Sequence, residues 1–185
     1  KLVTGVQTCA LPISHIGAHY DRTDTRPKQR IKKALCRDLS LDWERDAPLL
    51  GVVTRLVAQK GIDLLAAVLP DLLERSRARF ALLGSGDPEL ERTLQALADR
   101  APGRVSFTRG YDEPLAHRIL AGSDIVPVPS RYEPCGLTQM YALRFGSIPV
   151  VRKTGGLADT VQHFDAASGR GNGSVFEHAD AQGLA

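Results

Sequence analysis

The chain has 185 residues, 43% of them hydrophobic and 24% charged, with a net charge of +3; this is the composition of an ordinary globular domain and excludes a fibrous or disordered one. The charge is too small to argue for a nucleic-acid partner, and no apolar run approaches the roughly 20 residues of a bilayer span, so no membrane partner is expected either. Cys9, Cys36 and Cys135 form no CxxC or Cys/His cluster, which leaves no metal site and makes reduced thiols in a cytoplasmic protein the simplest reading.

Residues 1–14, KLVTGVQTCALPIS, have one basic residue and an apolar centre broken by Gly5, Gln7 and Pro12, which makes a poor signal peptide. The run from Val3 to Ile13 resembles the translation of a common sequencing-adapter oligonucleotide, so residues 1–14 are read as a non-native leader, with a genuine strand as the alternative. On that reading the gene begins further upstream. No terminating motif precedes Ala185, so both ends are expected to be artificial. Residues 15–46 are charged and mixed and read as a helical lead-in, with Arg30, Lys32 and Lys33 on a solvated face.

Over residues 47–185, apolar runs at 49–53, 80–83, 105–107, 125–128 and 148–151 alternate with helical patterns. This is the rhythm of βα units around a parallel sheet, and the expected fold is α/β, Rossmann-like, with flanking helices. Ile62, Leu65, Leu69, Leu72 and Leu73 share a helical face that Pro70 is expected to kink or break. Asp87-Pro88 reads as an N-cap followed by proline at the first helical position, ahead of a Leu90, Leu94, Leu97 stripe. Asp112 is placed to cap a helix carrying Leu115, Ile119 and Leu120. A further helix over 137–145 should stop at Gly146. Pro127 lies inside an apparent central strand, where it lacks a ladder donor, so the strand should end early or bulge. Residues 168–174, SGRGNGS, read as a flexible loop.

Ligands of open α/β sheets bind beyond the carboxyl ends of the strands, so the residues just past each strand matter most. After the first come Arg55 and Lys60, either two surface cations or two arms reaching one anion near a helix N-terminus. After the second, Gly84-Ser85-Gly86-Asp87 starts like a dinucleotide fingerprint but lacks its third glycine. After the third, Tyr111 could stack on a nucleobase or be an ordinary tyrosine. After the fourth comes Ser130-Arg131-Tyr132-Glu133-Pro134-Cys135-Gly136-Leu137-Thr138. Proline biases Glu133 to an extended backbone, and the amides of Gly136, Leu137 and Thr138 should be free at a helix start. Cys135 has no evident histidine partner for a nucleophile's role. After the fifth, Gly155 and Gly156 suit close backbone approach or a tight turn.

Together the blocks TRLVAQKGID, ALLGSGDPELE, GYDEPLAHRILAGSDIVPVPSRYEPCGLTQMYALRFG and RKTGGLADTV closely resemble the second domain of bacterial glycogen synthases and plant starch synthases, from about Tyr20 to Phe176. The order and spacing of the blocks, with the SRYEPCGLTQ core, make the resemblance specific. It implies the nucleotide-sugar-binding half of a GT-B fold, in an enzyme that moves glucose from ADP-glucose to the non-reducing end of an α-1,4-glucan with retention of configuration. It implies no metal and no cofactor beyond the ADP-glucose substrate. It further implies that Arg55 and Lys60 clamp the donor diphosphate and that Glu133 holds glucose hydroxyls. Tyr111 would stack on adenine, and Cys135, Gly136, Leu137 and Thr138 would line the donor. Tyr141 stands where many GT-B relatives carry a second glutamate, as in glycogen synthases; Thr54 and Pro127 are small departures. The partners implied are a nucleotide sugar, an α-glucan and a missing N-terminal domain of the same enzyme, without which this chain should not turn over. Another GT-B transferase using UDP-glucose and a non-catalytic nucleotide-sugar-binding domain are the alternatives. The broken glycine fingerprint speaks against a dinucleotide oxidoreductase.

Overall fold

The computed structural model describes residues 15–184 apart from His19 and Arg22; the leader reading of residues 1–14, and Cys9 with it, lies outside them. The strands are β1 (Leu49–Val53), β2 (Arg79–Gly84), β3 (Val105–Arg109), β4 (Ile125–Val128), β5 (Ile148–Arg152) and β6 (Ser174–Phe176). The helices are α1 (Arg26–Asp38), α2 (Ile62–Arg75), α3 (Pro88–Arg100), α4 (Glu113–Gly122), α5 (Thr138–Arg144), α6 (Gly155–Thr160) and α7 (Ala181–Leu184), with a 3-10 turn at Ala58–Lys60. All strand pairs are parallel, in the order β3-β2-β1-β4-β5-β6. The chain steps outward from β1 to β3, then crosses back and steps the other way from β4 to β6. The loops leaving β1 and β4 therefore part at the carboxyl edge and open a crevice there.

Helices cover both faces of the central strands, which explains why those strands are continuous apolar runs and not alternating ones. Leu50, Val52, Phe80 and Leu82 pack with Leu65 and Leu69 of α2 and Leu94 of α3. On the other face Leu49, Ala81 and Leu83 meet Leu35 of α1 and Leu115 and Ile119 of α4. Each such Leu or Phe contributes about 1.5–3 kcal/mol by burial, so β1 and β2, buried almost throughout, anchor the crevice.

The expected strands and caps are present. Asp87 accepts from the amides of Glu89 (2.7 Å) and Leu90 (3.4 Å) with Pro88 opening α3, and Asp112 accepts from Leu115 at 2.7 Å. Gly146, at φ +65, ends α5. Several expectations are corrected. Pro70 does not break α2, which runs through it; its ring is exposed, and the buried face of Leu65, Val68 and Leu69 outweighs one lost backbone bond. Pro127 neither ends nor bulges β4: it sits in register with Val150. Asp124 O accepts from Ile148 N, so by alternation the Pro127 nitrogen faces β1, where the ladder registers only at Leu50↔Ile125. Residues 168–173 are a loop as expected, with the Asp165 carboxylate accepting from Ser168 Oγ at 2.5 Å, but Ser174 already belongs to β6.

The largest correction concerns α1. Arg30 and Lys33 are exposed, but Lys28 and Lys32 are buried. Lys28 Nζ donates to Ala121 O (2.8 Å), Phe145 O (3.1 Å) and Ser147 Oγ (3.0 Å). Lys32 Nζ reaches Asp124 at 2.6 Å and Ala47 O at 2.7 Å. Ala121 and Phe145 lie at the carboxyl ends of α4 and α5, where carbonyls lack intrahelical donors and favour a cation. The segment read as a charged lead-in is thus packed into the amino edge of the sheet.

Candidate functional site

β1 ends at Val53, and the chain turns through Arg55 to the 3-10 turn that carries Lys60. β4 ends at Val128 and enters the loop that carries Glu133. Because β1 and β4 are neighbours, the two segments meet across the crevice. Lys60 Nζ lies 2.5 Å from Glu133 Oε2, with side chains 20% and 11% exposed. Ser130 Oγ donates to the same oxygen at 3.0 Å. Beneath this contact is a cavity of about 20 Å3 lined by Thr54, Lys60, Ser130, Glu133 and Thr138. Its volume admits about one water.

The remaining residues expected at the site stand around this pair in different states. Arg55 is exposed, and its guanidinium makes no hydrogen bond or ion pair among the described residues. Cys135 is exposed as a free thiol. Gly136 is buried, Leu137 is 49% exposed, and no acceptor among the described residues takes the amides of Gly136, Leu137 or Thr138. Tyr111 is 79% exposed at the end of β3, an outer strand separated from β4 by β2 and β1. At about 4.8 Å per strand that is about 14 Å from the Glu133 strand. The structure therefore joins Lys60 and Glu133, lines the same small cavity with Thr138, leaves Arg55 exposed at the same sheet edge, and sets Tyr111 three strands away.

The glycines serve a different purpose from the one their sequence context first offers. A Cβ on Gly155 would fall 2.1 Å from Glu133 O, and one on Gly156 would fall 2.0 Å from Cys135 O. Gly156 N donates to Glu133 O at 3.0 Å. The start of α6 is thus pressed against the backbone of the Glu133 loop. Likewise a Cβ on Gly84 or Gly86 would strike Thr54 O or Leu56 O, at 2.1 and 2.3 Å. The Gly84-Ser85-Gly86 stretch holds the strand-end segment of Arg55 by Leu56 N→Ser85 O and Asp87 N→Leu56 O bonds. Both glycine groups approach protein backbone, and the fingerprint-like stretch extends the β1–β2 pairing.

Several residues not singled out for chemistry complete the loop. Arg152 donates from Nε to Ser130 O at 3.1 Å and from Nη2 to Arg131 O. Arg131 forks onto Asp63, and Gln59 Nε2 donates to Tyr132 O at 3.0 Å. Gln139, fully buried, gives its Nε2 to Gly136 O (2.9 Å) and Thr160 Oγ1 (3.0 Å). Their only sequence signal was membership of the blocks that carry the resemblance. Among the described residues no three His, Cys, Asp or Glu side chains gather as a metal site, and no helix is long and apolar enough to cross a membrane.

A family model described as glycosyl transferases group 1 matches residues 40–185. The chain is 49% identical over 164 residues to a glycogen synthase of Desulfatibacillum aliphaticivorans, covering 88% of this chain and 34% of that one. It is 52% identical over 170 residues to a glycogen synthase of Anaeromyxobacter dehalogenans, covering 92% and 35%. Among solved structures, the catalytic domain of starch synthase IV from Arabidopsis thaliana, bound to ADP and acarbose, superposes with a TM-score of 0.86 at 39% identity, covering 94% of this chain and 36% of that one. Sucrose-phosphate synthase from Thermosynechococcus elongatus gives 0.63 at 26% identity, covering 82% and 37%. The chain spans about a third of the length of the curated relatives it matches.

Proposed function

This chain belongs to the group 1 glycosyl transferases, and from that premise we propose that it is the donor-binding half of a retaining glucosyltransferase that moves glucose from ADP-glucose to the non-reducing end of an α-1,4-glucan. The observation that carries the reading is the Lys60–Glu133 contact at the parting of β1 and β4, with the exposed guanidinium of Arg55 leaving β1 at the same edge. A cation and an acid held side by side suit a ligand that is phosphate at one end and polyhydroxyl at the other.

The chemistry rests on charge and hydrogen-bond capacity. Breaking the bond between the sugar's anomeric carbon and the phosphate oxygen leaves negative charge on the diphosphate. Lys60 spends one N–H on Glu133 and retains two for phosphate oxygens; Arg55 offers its whole guanidinium. A cation about 4 Å from a phosphate charge gains about 4 kcal/mol at an effective dielectric near 20. That gain rises as the leaving group becomes more anionic, which is what accelerates the step. Glu133 Oε2 is occupied by Lys60 and Ser130, so Oε1 is the oxygen left to accept from sugar hydroxyls. Glu133 orients the sugar; its engaged carboxylate is poorly suited to attack. The amides of Gly136, Leu137 and Thr138 face the same ligand beside the Cys135 thiol, and Tyr111 lies about a nucleotide's reach away, available to stack on adenine. The glucan and the water-excluding wall of the cleft belong to an N-terminal domain, so residues 15–185 alone should bind donor without elongating glucan. Location in the cytoplasm goes with this reading.

Calorimetry of the folded chain with ADP, ADP-glucose and UDP-glucose tests it. Binding of ADP that weakens in Arg55→Ala is the expected result; no heat with any of the three removes the donor-site proposal. Preference for UDP-glucose would favour the second reading, a UDP-sugar transferase. In a longer polypeptide joining this chain to its glucan-binding domain, turnover surviving Arg55→Ala would favour a non-catalytic binding role.

A further inference from the structure

We propose that Asp63 and Arg131 are a positioning pair that sets the spacing of Lys60 and Glu133, and with it the floor of the donor pocket; the second part rests on the donor-site reading above. Asp63 lies in the first turn of α2, just past Lys60, and Arg131 lies two residues before Glu133. Arg131 Nη1 and Nη2 each reach one carboxylate oxygen of Asp63 at 2.6 Å, and Nη1 also donates to Ala58 O at 2.8 Å. The Arg131 amide donates to Gln59 O at 2.8 Å, and Gln59 Nε2 returns to Tyr132 O. Residues 58–60 and 131–133 are thus joined at every position, and Lys60–Glu133 is one member of the set.

Magnitude decides what such a pair is for. The side chains of Arg131 and Asp63 are 37% and 43% exposed, and ion pairs that open to water contribute about 0–1 kcal/mol to stability. Its contribution to the global fold is therefore small. A planar guanidinium locked on both oxygens and a backbone carbonyl has, by contrast, almost no rotational freedom. It fixes how far the turn and the loop stand apart. Arg131 also holds the Asp63 carboxyl below the ordinary carboxylate range by its hydrogen bonds and charge, so the fork is complete at neutral pH. Lys in place of Arg131 keeps the charge and loses the fork.

The test reads the unliganded chain first. In Arg131→Gln, amide exchange at Lys60 and Gly156, which bond to Val57 O and Glu133 O, should accelerate about tenfold, and the nitrogen-15 signal of Lys60 Nζ should shift as its contact with Glu133 loosens. Exchange in β2 and the urea midpoint should stay as in the unmodified chain. Asp63→Asn should do the same, and Arg131→Lys should restore little. Arg118→Gln, which breaks the remote 2.7 Å pair with Asp38, should leave Lys60 and Gly156 unchanged. If Arg131→Gln and Asp63→Asn both leave the Lys60 signal and Gly156 exchange as they were, or if Arg131→Lys restores them fully, the positioning role is overturned. ADP titration of the same variants should show affinity falling about tenfold. Absence of ADP binding by the unmodified chain would sink the donor-site reading, while the exchange data would still decide whether the pair holds Lys60 against Glu133.

Discussion

At the amino edge of the sheet Lys32 meets Asp124 at 2.6 Å, its side chain 4% exposed; at the carboxyl edge Lys60 meets Glu133 at 2.5 Å, its side chain 20% exposed. The two pairs are alike in length and differ in what surrounds them. Lys32 also donates to Ala47 O, and Asp124 also accepts from Leu49 N at 2.8 Å. Lys28 beside it is bonded to the ends of α4 and α5. That edge is closed by burial: the Lys32 side chain is almost fully covered and Lys28 spends all three N–H groups on its neighbours, although Asp124 takes both its bonds on Oδ2. At the carboxyl edge Glu133 has an oxygen to spare, Lys60 has N–H groups to spare, and Arg55 and Tyr111 face outward. The two pairs therefore differ in the exposure of the cation, 4% against 20%, more than in the number of bonds each acid has made.

Replacing Lys32 by Ala should break this comparison most visibly. The Asp124 carboxylate and Ala47 O would lose their cation in a buried setting, at a cost of about 3–5 kcal/mol, nearer the low end because Asp124 is 29% exposed. Urea unfolding measures it; a loss below about 1 kcal/mol would mean that the amino edge is as solvated as the carboxyl edge.

The pH dependence of stability should come next in size. Burial drives the Lys28 ammonium down from 10.5 to about 8, with Lys32 pushing the same way and Asp124 opposing. Below about pH 8 both the folded and unfolded chains carry that proton, and the desolvation cost is present in full. Between about 8 and 10.5 the unfolded chain binds more proton than the folded one, so stability rises with pH, by at most about 1.4 kcal/mol per unit. Tyr20 acts oppositely further up: burial raises its hydroxyl from 10 to about 12, so the folded chain keeps a proton the unfolded one has lost and stability falls across that range. A maximum near pH 10 is expected. Unfolding curves of Lys28→Met, in which the rise above pH 8 disappears, would tie it to Lys28; an unchanged rise would assign it elsewhere.

Arg55→Ala should show the reverse pattern. With no partner to lose, stability should move by less than about 0.5 kcal/mol, while ADP binding should weaken by about 1.5–3 kcal/mol, the range of a hydrogen bond to a charged group. Calorimetry and urea unfolding on one protein preparation separate the two effects. A large stability loss with intact ADP affinity would make Arg55 a structural cation like Lys32.

The sequence disclosed one edge better than the other. The strand runs and both Asp caps were readable because periodicity and cap chemistry are local, whereas the strand order that opens the crevice came only with the structure. Position soon after a strand end marked Lys60 and Glu133 as candidates, and the resemblance gave them roles; the structure adds that they touch. Lys28 and Lys32 were not readable, since their acceptors are carbonyls more than ninety residues away in the case of Lys28, and a helix of mixed charge reads as solvated until its neighbours are known. Arg131, Asp63 and Arg152 escaped for a related reason: their work is done on backbone atoms and on each other. β6 was hidden because its three residues come after a glycine-rich turn whose order depends on Asp165.

Two tyrosines give the smallest test. Tyr20 donates its hydroxyl to Phe145 O at 2.9 Å and Ala121 O at 3.2 Å, the carbonyls that Lys28 also serves, whereas Tyr111 is 79% exposed and its hydroxyl has no acceptor among the described residues. Tyr20→Phe should therefore cost about 1 kcal/mol of stability, the ordinary worth of a hydrogen bond, and leave ADP affinity alone. Tyr111→Phe should change neither, because a nucleobase stacks on the ring and not on the hydroxyl. Tyr111→Ala should leave stability within about 0.5 kcal/mol and weaken ADP by about 1 kcal/mol, the lower end for stacking of a base on an aromatic ring. If Tyr111→Ala binds ADP as tightly as the unmodified chain, the ring takes no part in nucleotide recognition and the ligand ends short of β3.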